Sequence, residues 1–183
     1  MKRLFVAVPV SEEVKDKLRQ VVDELSKTGA DLKLVSLSHL HFTLKFLGDV
    51  DEKQIPEIEK KLAGIVEKTK GFEVSVKGVG VFPSLERINV VWMGVENSTL
   101  VSLMKEVGKE LGFVRKNDHD EDVAHLTIAR VKTERNKKEL QEFAKRFEGK
   151  EFGRMKVEKI ILFESELRKE GAEHRVVKEF RLK

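Results

Sequence analysis

The chain has 183 residues, 40% apolar and 37% charged, a composition typical of a globular protein with a heavily charged surface. It contains no cysteine, which excludes a disulfide framework and a thiolate metal site, and no apolar run approaches the roughly 18 residues of a membrane span. The net charge of +4 permits a polyanionic partner, but acidic and basic residues are interleaved, so a short nucleic-acid end fits better than a long duplex.

The N-terminus and the composition also bear on where the protein works. The segment MKRLFVAVPVSEEV begins with a basic residue pair, but its apolar stretch is short and a helix-capping Ser-Glu-Glu follows. It therefore predicts a first strand rather than a signal peptide, which with the lack of cysteine favours a cytoplasmic protein. Abundant Lys and Glu with only three Gln and four Asn favour a thermophilic source.

Hydrophobic periodicity and turn residues predict alternating strands and helices in the first half of the chain. The predicted elements are a strand (3–9), a helix capped by Ser11 and ending near Gly29, a link (31–37), a strand (41–48), a helix (about 52–68) and an extended segment (72–83) whose Gly78 and Gly80 indicate a bend or bulge.

The same order of elements restarts in the second half. It comprises a strand (87–95), a helix capped by Asn97 or Ser98 and ending near Gly112, a polar loop (116–122), a strand (124–130), a helix (about 135–147), a strand (157–165) and a closing strand (174–182). The order strand–helix–strand–helix–strand thus occurs twice, over about 1–86 and 87–183, which indicates an internal duplication within a single domain, 1–183.

A short motif marks the third element of each half. His41-Phe42-Thr43-Leu44 and His125-Leu126-Thr127-Ile128 have the same residue classes in the same order, 84 positions apart. Because alternate residues of a strand share a face, each copy presents an imidazole and a hydroxyl together and buries its apolar residues. The duplication predicts an α+β fold with two lobes, mostly antiparallel sheets, outer helices and a central catalytic cleft that collects both motifs.

Two imidazoles in one cleft can act as general acid and general base near neutral pH. Hydroxyls and a nearby guanidinium suit an anion with several oxygens, namely a phosphate. Opening of a cyclic phosphodiester needs that set and little else. The sequence contains no HExxH motif and no cysteine ligand, so we expect no metal and no cofactor.

Three segments, RLFVAV, HFTLKFLG and HLTIAR, resemble the LigT-like branch of the two-histidine (2H) phosphoesterase superfamily, which is defined by paired H-x-T-x motifs. That branch comprises the RNA 2′,3′-cyclic phosphodiesterases, historically called 2′-5′ RNA ligases, and the resemblance extends over essentially the whole chain. It implies hydrolysis of RNA 2′,3′-cyclic phosphate ends, tRNA fragments among them, to 2′-phosphomonoesters without a metal.

The resemblance also implies a role for each site residue. His41 would donate a proton to the leaving oxygen, and His125 would accept one from water. Thr43 and Thr127 would hold the phosphoryl oxygens, and Arg130 would add a positive charge. The reverse reaction, with a 5′-hydroxyl in place of water, would be 2′-5′ RNA ligation.

Arg130 does not fit a regular strand, because it has the parity of the buried Leu126 and Ile128 and reaches the cleft only if the strand twists or ends near Ala129. Other residues have more ordinary interpretations. His39 is interpreted as a strand-surface residue rather than a metal ligand, His119 and His174 as incidental, and Phe5 and Trp92 as core; Lys33, Arg115 and Lys116 are weaker candidates for steering RNA.

Two alternatives of other kinds stay open. The same site could act on a small cyclic nucleotide or a cyclic-phosphate sugar, or the chain could bind RNA ends without turning them over. Because both motifs lie in one chain, we expect a monomer.

Overall fold

A computed structural model of the protein describes residues 1–115, 124–168 and 171–183. The elements within these ranges are, in chain order, β1 (Lys2–Pro9), α1 (Glu12–Ser26), β2 (Leu32–Leu34), β3 (His41–Val50), α2 (Ile55–Val66), β4 (Phe72–Pro83), β5 (Ile88–Glu96), α3 (Ser98–Glu110), β6 (His125–Val131), α4 (Lys137–Arg146), β7 (Glu151–Val157), β8 (Lys159–Arg168) and β9 (Gly171–Arg181), with short 3-10 helices at Leu37–His39 and Glu52–Gln54.

The strands form two antiparallel sheets, one with the order β3-β1-β8-β9 and one with the order β2-β6-β5-β4-β7. Helices α2 and α3 contact strands of the first sheet, and α1 and α4 contact strands of the second. The predicted α+β fold with antiparallel sheets and helices on their faces is confirmed. Within the described residues, the helices are too short or too polar for any of them to traverse a lipid bilayer.

The two sheets repeat one arrangement. The order β3-β1-β8-β9 corresponds position by position to β6-β5-β4-β7. Each sheet nevertheless takes strands from both halves of the chain, because β4 pairs with β5 and β8 pairs with β1. This exchange of strands joins the two halves of the chain by hydrogen bonds within each sheet.

Capping residues and glycines in the sequence mark the ends of several helices in the structure. The Ser11 hydroxyl accepts a hydrogen bond from the Val14 amide at 3.4 Å, and the Asn97 side chain caps α3 by accepting from the Leu100 amide at 2.9 Å. Gly29, just beyond α1, has a φ of +68°, a conformation that glycine adopts without steric cost. The predicted irregularity in β4 occurs at Gly78, where the pairing with β5 shifts register.

Two elements differ from the sequence predictions. The predicted link at 31–37 contains β2, which pairs with β6 and so depends on a contact that local periodicity does not reveal. The segment before β8 contains a further strand, β7, which pairs only with β4 at the edge of its sheet. The polar loop predicted at 116–122, with Lys116 and His119, lies outside the described residues.

Candidate active site

Both motif strands begin at their histidine. His41 is the first residue of β3 and His125 is the first residue of β6, and both imidazoles are half-buried. Thr43 and Thr127 are also half-buried, whereas the residues that alternate with them are fully buried, as a strand with one apolar face requires. The two strands lie in different sheets and contact each other, so they meet where the sheets adjoin rather than as hydrogen-bonded neighbours.

A β-bulge follows the threonine in each motif strand. Thr43 pairs with Ala7 and Lys45 with Val6, which leaves Leu44 as an extra residue in β3. Such a bulge reverses the alternation of faces, so the bulged residue and its successor both point to the same side.

The bulge in β6 occupies the corresponding position. Thr127 pairs with Trp92 and Ala129 with Val91, so Ile128 is the extra residue. Ile128 and Ala129 are both fully buried. Each histidine–threonine strand therefore bends at the same point, directly after the polar pair.

The bulge at Ile128 explains how Arg130 reaches the cleft. Arg130 pairs with Val90, which lies two residues from Trp92 in a regular stretch of β5 and therefore shares its face. Trp92 is on the side of His125, because their rings lie 6.2 Å apart. The misfit in strand parity that the sequence suggests is thus resolved, and Arg130 lies exposed on the same face as the histidine.

His41 is held by its backbone neighbour and by aromatic rings. Its Nδ1 lies 2.6 Å from the carbonyl oxygen of His39; because a carbonyl only accepts, Nδ1 carries the hydrogen and Nε2 is left for a ligand. The ring of Phe5 lies 4.9 Å from that of His41, and Phe163 stacks on Phe5 at 5.2 Å. Phe5 is buried, as expected of a core residue, yet it also supports the imidazole.

Burial lowers the pKa of His41 from 6.5 to about 4. The hydrogen bond to the His39 carbonyl opposes this change, while positive charge on His174 and then on His39 adds to it. In the free protein at neutral pH the imidazole is therefore uncharged, and its Nε2 is a hydrogen-bond acceptor.

His125 has a different aromatic environment. The ring of Phe82 contacts it edge-on at 5.2 Å, and Phe82 stacks on Trp92 at 5.0 Å. The indole of Trp92 lies directly over Gly80, where a Cβ would overlap the ring. Trp92 is half-buried and lies beside His125, so the interpretation of it as a core residue is wrong; its place opposite Thr127 follows only from the pairing of β5 with β6, which no local pattern reveals.

The structure brings two further histidines to His41. His174, which the sequence analysis interprets as incidental, lies in β9 and has its ring centroid 5.3 Å from those of His41 and His39. Since β3 and β9 are the outer strands of one sheet, this proximity requires the sheet to curl strongly. His39 lies in a 3-10 turn and not on a strand. Within the described residues, no group of three or more His, Asp or Glu side chains is arranged to bind a metal ion.

Two of the cations considered for RNA steering, Lys33 and Arg115, lie within the described residues and have separate positions. Lys33, in β2, lies directly opposite Arg130 in the pairing with β6. Arg115 lies close to Gly48, near the end of β3 away from His41. Of the two that the structure describes, only Lys33 is therefore placed beside a residue of the candidate site.

Comparison with known proteins shows the family of the chain. The model of the LigT like Phosphoesterase family matches residues 8–92 and 94–172. An RNA 2′,3′-cyclic phosphodiesterase of Methanothermobacter thermautotrophicus is 38% identical over 98% of both chains, and one of Methanocaldococcus jannaschii is 34% identical over 97% of this chain and 99% of the relative.

Solved structures share the fold. TT0787 of Thermus thermophilus superposes with a TM-score of 0.81 at 25% identity, covering 98% of this chain and 97% of that one. The apo form of Escherichia coli LigT superposes with a TM-score of 0.78 at 20% identity over 99% and 97% of the two chains, which is a likeness of fold alone. By its sequence and its fold, the chain belongs to the LigT-like phosphoesterases of the 2H superfamily.

Proposed function

We propose that this protein hydrolyses RNA 2′,3′-cyclic phosphate ends to 2′-phosphomonoesters. The observation that carries the proposal is the pair of equivalent strands that begin at His41 and His125, carry a threonine on the same face and contact each other. The names of the relatives in Methanothermobacter thermautotrophicus and Methanocaldococcus jannaschii support the choice of substrate.

In the proposed reaction, the imidazole of His125 accepts a proton from water while the water oxygen attacks phosphorus. The bond from phosphorus to the ribose 3′ oxygen breaks in line, and His41 donates a proton to that oxygen. The products are a 2′-phosphate and a 3′-hydroxyl, so atoms and charge balance. Thr43 and Thr127 would donate hydrogen bonds to the non-bridging oxygens, and Arg130 would stabilise their negative charge.

The donor role requires His41 to gain a proton, although its pKa in the free protein is about 4. A bound phosphodiester carries a negative charge, and an opposite charge within a few ångströms favours the protonated imidazole. Substrate binding would therefore raise the pKa of His41 and supply the acid only where it is needed. The hydrogen bond from Nδ1 to the His39 carbonyl would hold the second proton on Nε2, aimed at the leaving oxygen.

The test is to identify the product made from an oligoribonucleotide ending in a 2′,3′-cyclic phosphate, with EDTA present. A 2′-phosphate product from the wild type is expected, and both His41→Ala and His125→Ala should lose most of the rate. A mononucleotide 2′,3′-cyclic phosphate assayed in parallel tests the alternative of a small substrate. Binding of the RNA end without turnover would support the alternative of a non-catalytic RNA-end binder. Absence of any product from the wild type would refute the proposal.

Reverse 2′-5′ RNA ligation by the same groups is part of the proposal. It requires a second RNA end held closely enough for its 5′-hydroxyl to compete with water. An assay that adds a 5′-hydroxyl oligonucleotide in excess would detect the joined product. We also propose that the protein acts as a cytoplasmic monomer, and sedimentation of the purified chain would check its oligomeric state.

A further inference from the structure

We propose that Lys33, beside Arg130, binds the internucleotide phosphate that precedes the terminal nucleotide, so that the enzyme prefers RNA chains to mononucleotide substrates. This inference rests on the proposed function, whose scissile phosphate lies at the histidine pair. It goes further by naming a second anion subsite and the substrate feature that it recognises.

The pairing of strands places the two cations together. Lys33 in β2 lies directly opposite Arg130 in β6, and Arg130 lies opposite Val90 in β5. Residues directly opposite each other in antiparallel strands project from the same face, with Cα atoms about 4.5–5.5 Å apart. Because Val90 shares the face of Trp92, both cations lie on the face that carries His125.

This placement has an energetic cost for the fold. Like charges directly opposite in a sheet destabilise it, and both side chains are exposed, Lys33 on the edge strand β2 and Arg130 on the neighbouring strand β6. Within the described residues, no carboxylate forms an ion pair with either cation; the nearby Asp31 lies 3.9 Å from Lys132 instead. A pair of cations without an acidic partner suits an anionic ligand.

The distance from the histidine indicates which phosphate is bound. His125 pairs with Gly94 and Arg130 pairs with Val90, a separation of four residues along the regular strand β5. At about 3.3 Å per residue this is ~13 Å along the sheet, and Lys33 is one strand farther out, by about 4.8 Å. Arg130 lies on the strand of His125 and is the cation assigned to the scissile phosphate, so Lys33, one strand farther out, is left for the next phosphate along an RNA chain.

The experiment compares two substrates that differ by one internucleotide phosphate. These are a mononucleotide 2′,3′-cyclic phosphate and the dinucleotide that ends in the same group and lacks a 5′-phosphate. We expect the wild type to have the higher kcat/KM for the dinucleotide, and Lys33→Gln to lower the ratio of the two values roughly threefold to tenfold, as for one exposed charge-assisted contact. The dependence of log kcat/KM on log salt should also become shallower by about 0.7 for the dinucleotide.

Two controls make the result specific. Lys105→Gln removes the same charge from an exposed position in α3 and should leave the ratio as in the wild type. A dinucleotide with a neutral methylphosphonate linkage should react with the wild type as poorly as the normal dinucleotide reacts with Lys33→Gln. The variant should show no further loss with that neutral substrate.

The outcomes separate the two proposals. If the wild type turns over neither substrate, the proposed function fails. If the wild type turns over both substrates, the proposed function stands. The subsite is then refuted if Lys33→Gln keeps the wild-type ratio of kcat/KM, or if its loss of kcat/KM is as large with the methylphosphonate as with the phosphate. Thermal unfolding of Lys33→Gln should occur at the wild-type temperature or above it, since the substitution relieves a like-charge contact.

Discussion

The two walls of the cleft have the same construction and present different chemistry. In β3 and in β6, a histidine and a threonine precede a bulged residue, and two positions after the bulge the chain returns to the cleft face. That position holds Phe46 in the four-stranded sheet and Arg130 in the five-stranded sheet, both exposed. One repeat therefore offers an aromatic ring where the other offers a guanidinium.

Further residues extend the contrast. On the four-stranded sheet, Phe46 and Val176 are 49% and 54% exposed, and both pair into the row of residues that contains Phe5. On the five-stranded sheet, Lys33 extends the charge of Arg130. The end of an RNA chain is likewise apolar on its base and anionic on its backbone. In the proposed reaction, the repeated motif supplies the acid–base pair, and the different residues after the two bulges would supply the asymmetry that such a ligand requires.

The largest expected effect concerns the two histidines. Replacing either His41 or His125 with Ala should lower kcat by roughly 10²–10⁴-fold, the range for loss of a general acid or base. A phosphodiester whose leaving group is 4-nitrophenolate needs no protonation of that group. With this substrate His41→Ala should regain most of its rate and His125→Ala should not, as stopped-flow absorbance would measure. If His125→Ala regained its rate instead, His125 would be the proton donor and His41 the acceptor.

The next effect tests the difference between the walls. Arg130→Gln should lower kcat/KM for the cyclic-phosphate RNA about 10- to 100-fold, because a charge-assisted contact to phosphate contributes about 1.5–3 kcal/mol. Its salt dependence should weaken by about 0.7 in logarithmic slope. Phe46→Ser, at the equivalent position, should leave that slope at the wild-type value, since no charge is lost. Equal changes of slope in both variants would contradict the assignment of the phosphate to one wall.

A smaller effect concerns the support of His125. Gly80→Ala places a methyl group against the indole of Trp92, which must shift and disturb its contact with the imidazole. We expect a loss of about 1–3 kcal/mol in stability, as for other overpacked sites, with lower kcat. Gly64→Ala in α2 is the control, because its Cβ would meet open space and should stabilise the helix by about 0.5–1 kcal/mol. Denaturant unfolding of the two variants measures both changes.

The sequence was sufficient for the features that depend on local pattern. The two motif strands, the caps at Ser11 and Asn97 and the helix faces follow from periodicity and side-chain chemistry. The duplication carried the rest of the prediction, because a motif that is weak in one copy becomes specific when its whole context repeats.

Features that depend on pairing were beyond the sequence. β2 has three residues and exists only through its contact with β6, and the bulges at Leu44 and Ile128 appear only in the register with neighbouring strands. The face of Arg130 follows from one of those bulges. His174 lies 133 positions from His41, and only the curl of the sheet brings the rings within 5.3 Å.

The smallest expected effect separates the causes of the low pKa of His41. Burial is the main cause and the charge of His174 a lesser one, so removing either should raise the pKa above about 4. His174→Phe keeps the ring but removes the charge, whereas His174→Ala also opens the site to water. We therefore expect the pKa of His41 to rise slightly in His174→Phe and further, towards 6.5, in His174→Ala. NMR titration of the His41 ring proton measures both values. The pH profile of kcat/KM reports the pKa values of the acid and the base in the free enzyme. Its limb that reflects His41 should therefore move to higher pH slightly in His174→Phe and further in His174→Ala.

An equal rise of the His41 pKa in both variants would assign its low value to the repulsion between imidazoles, and burial by Phe5 and Phe163 would then have little part in it.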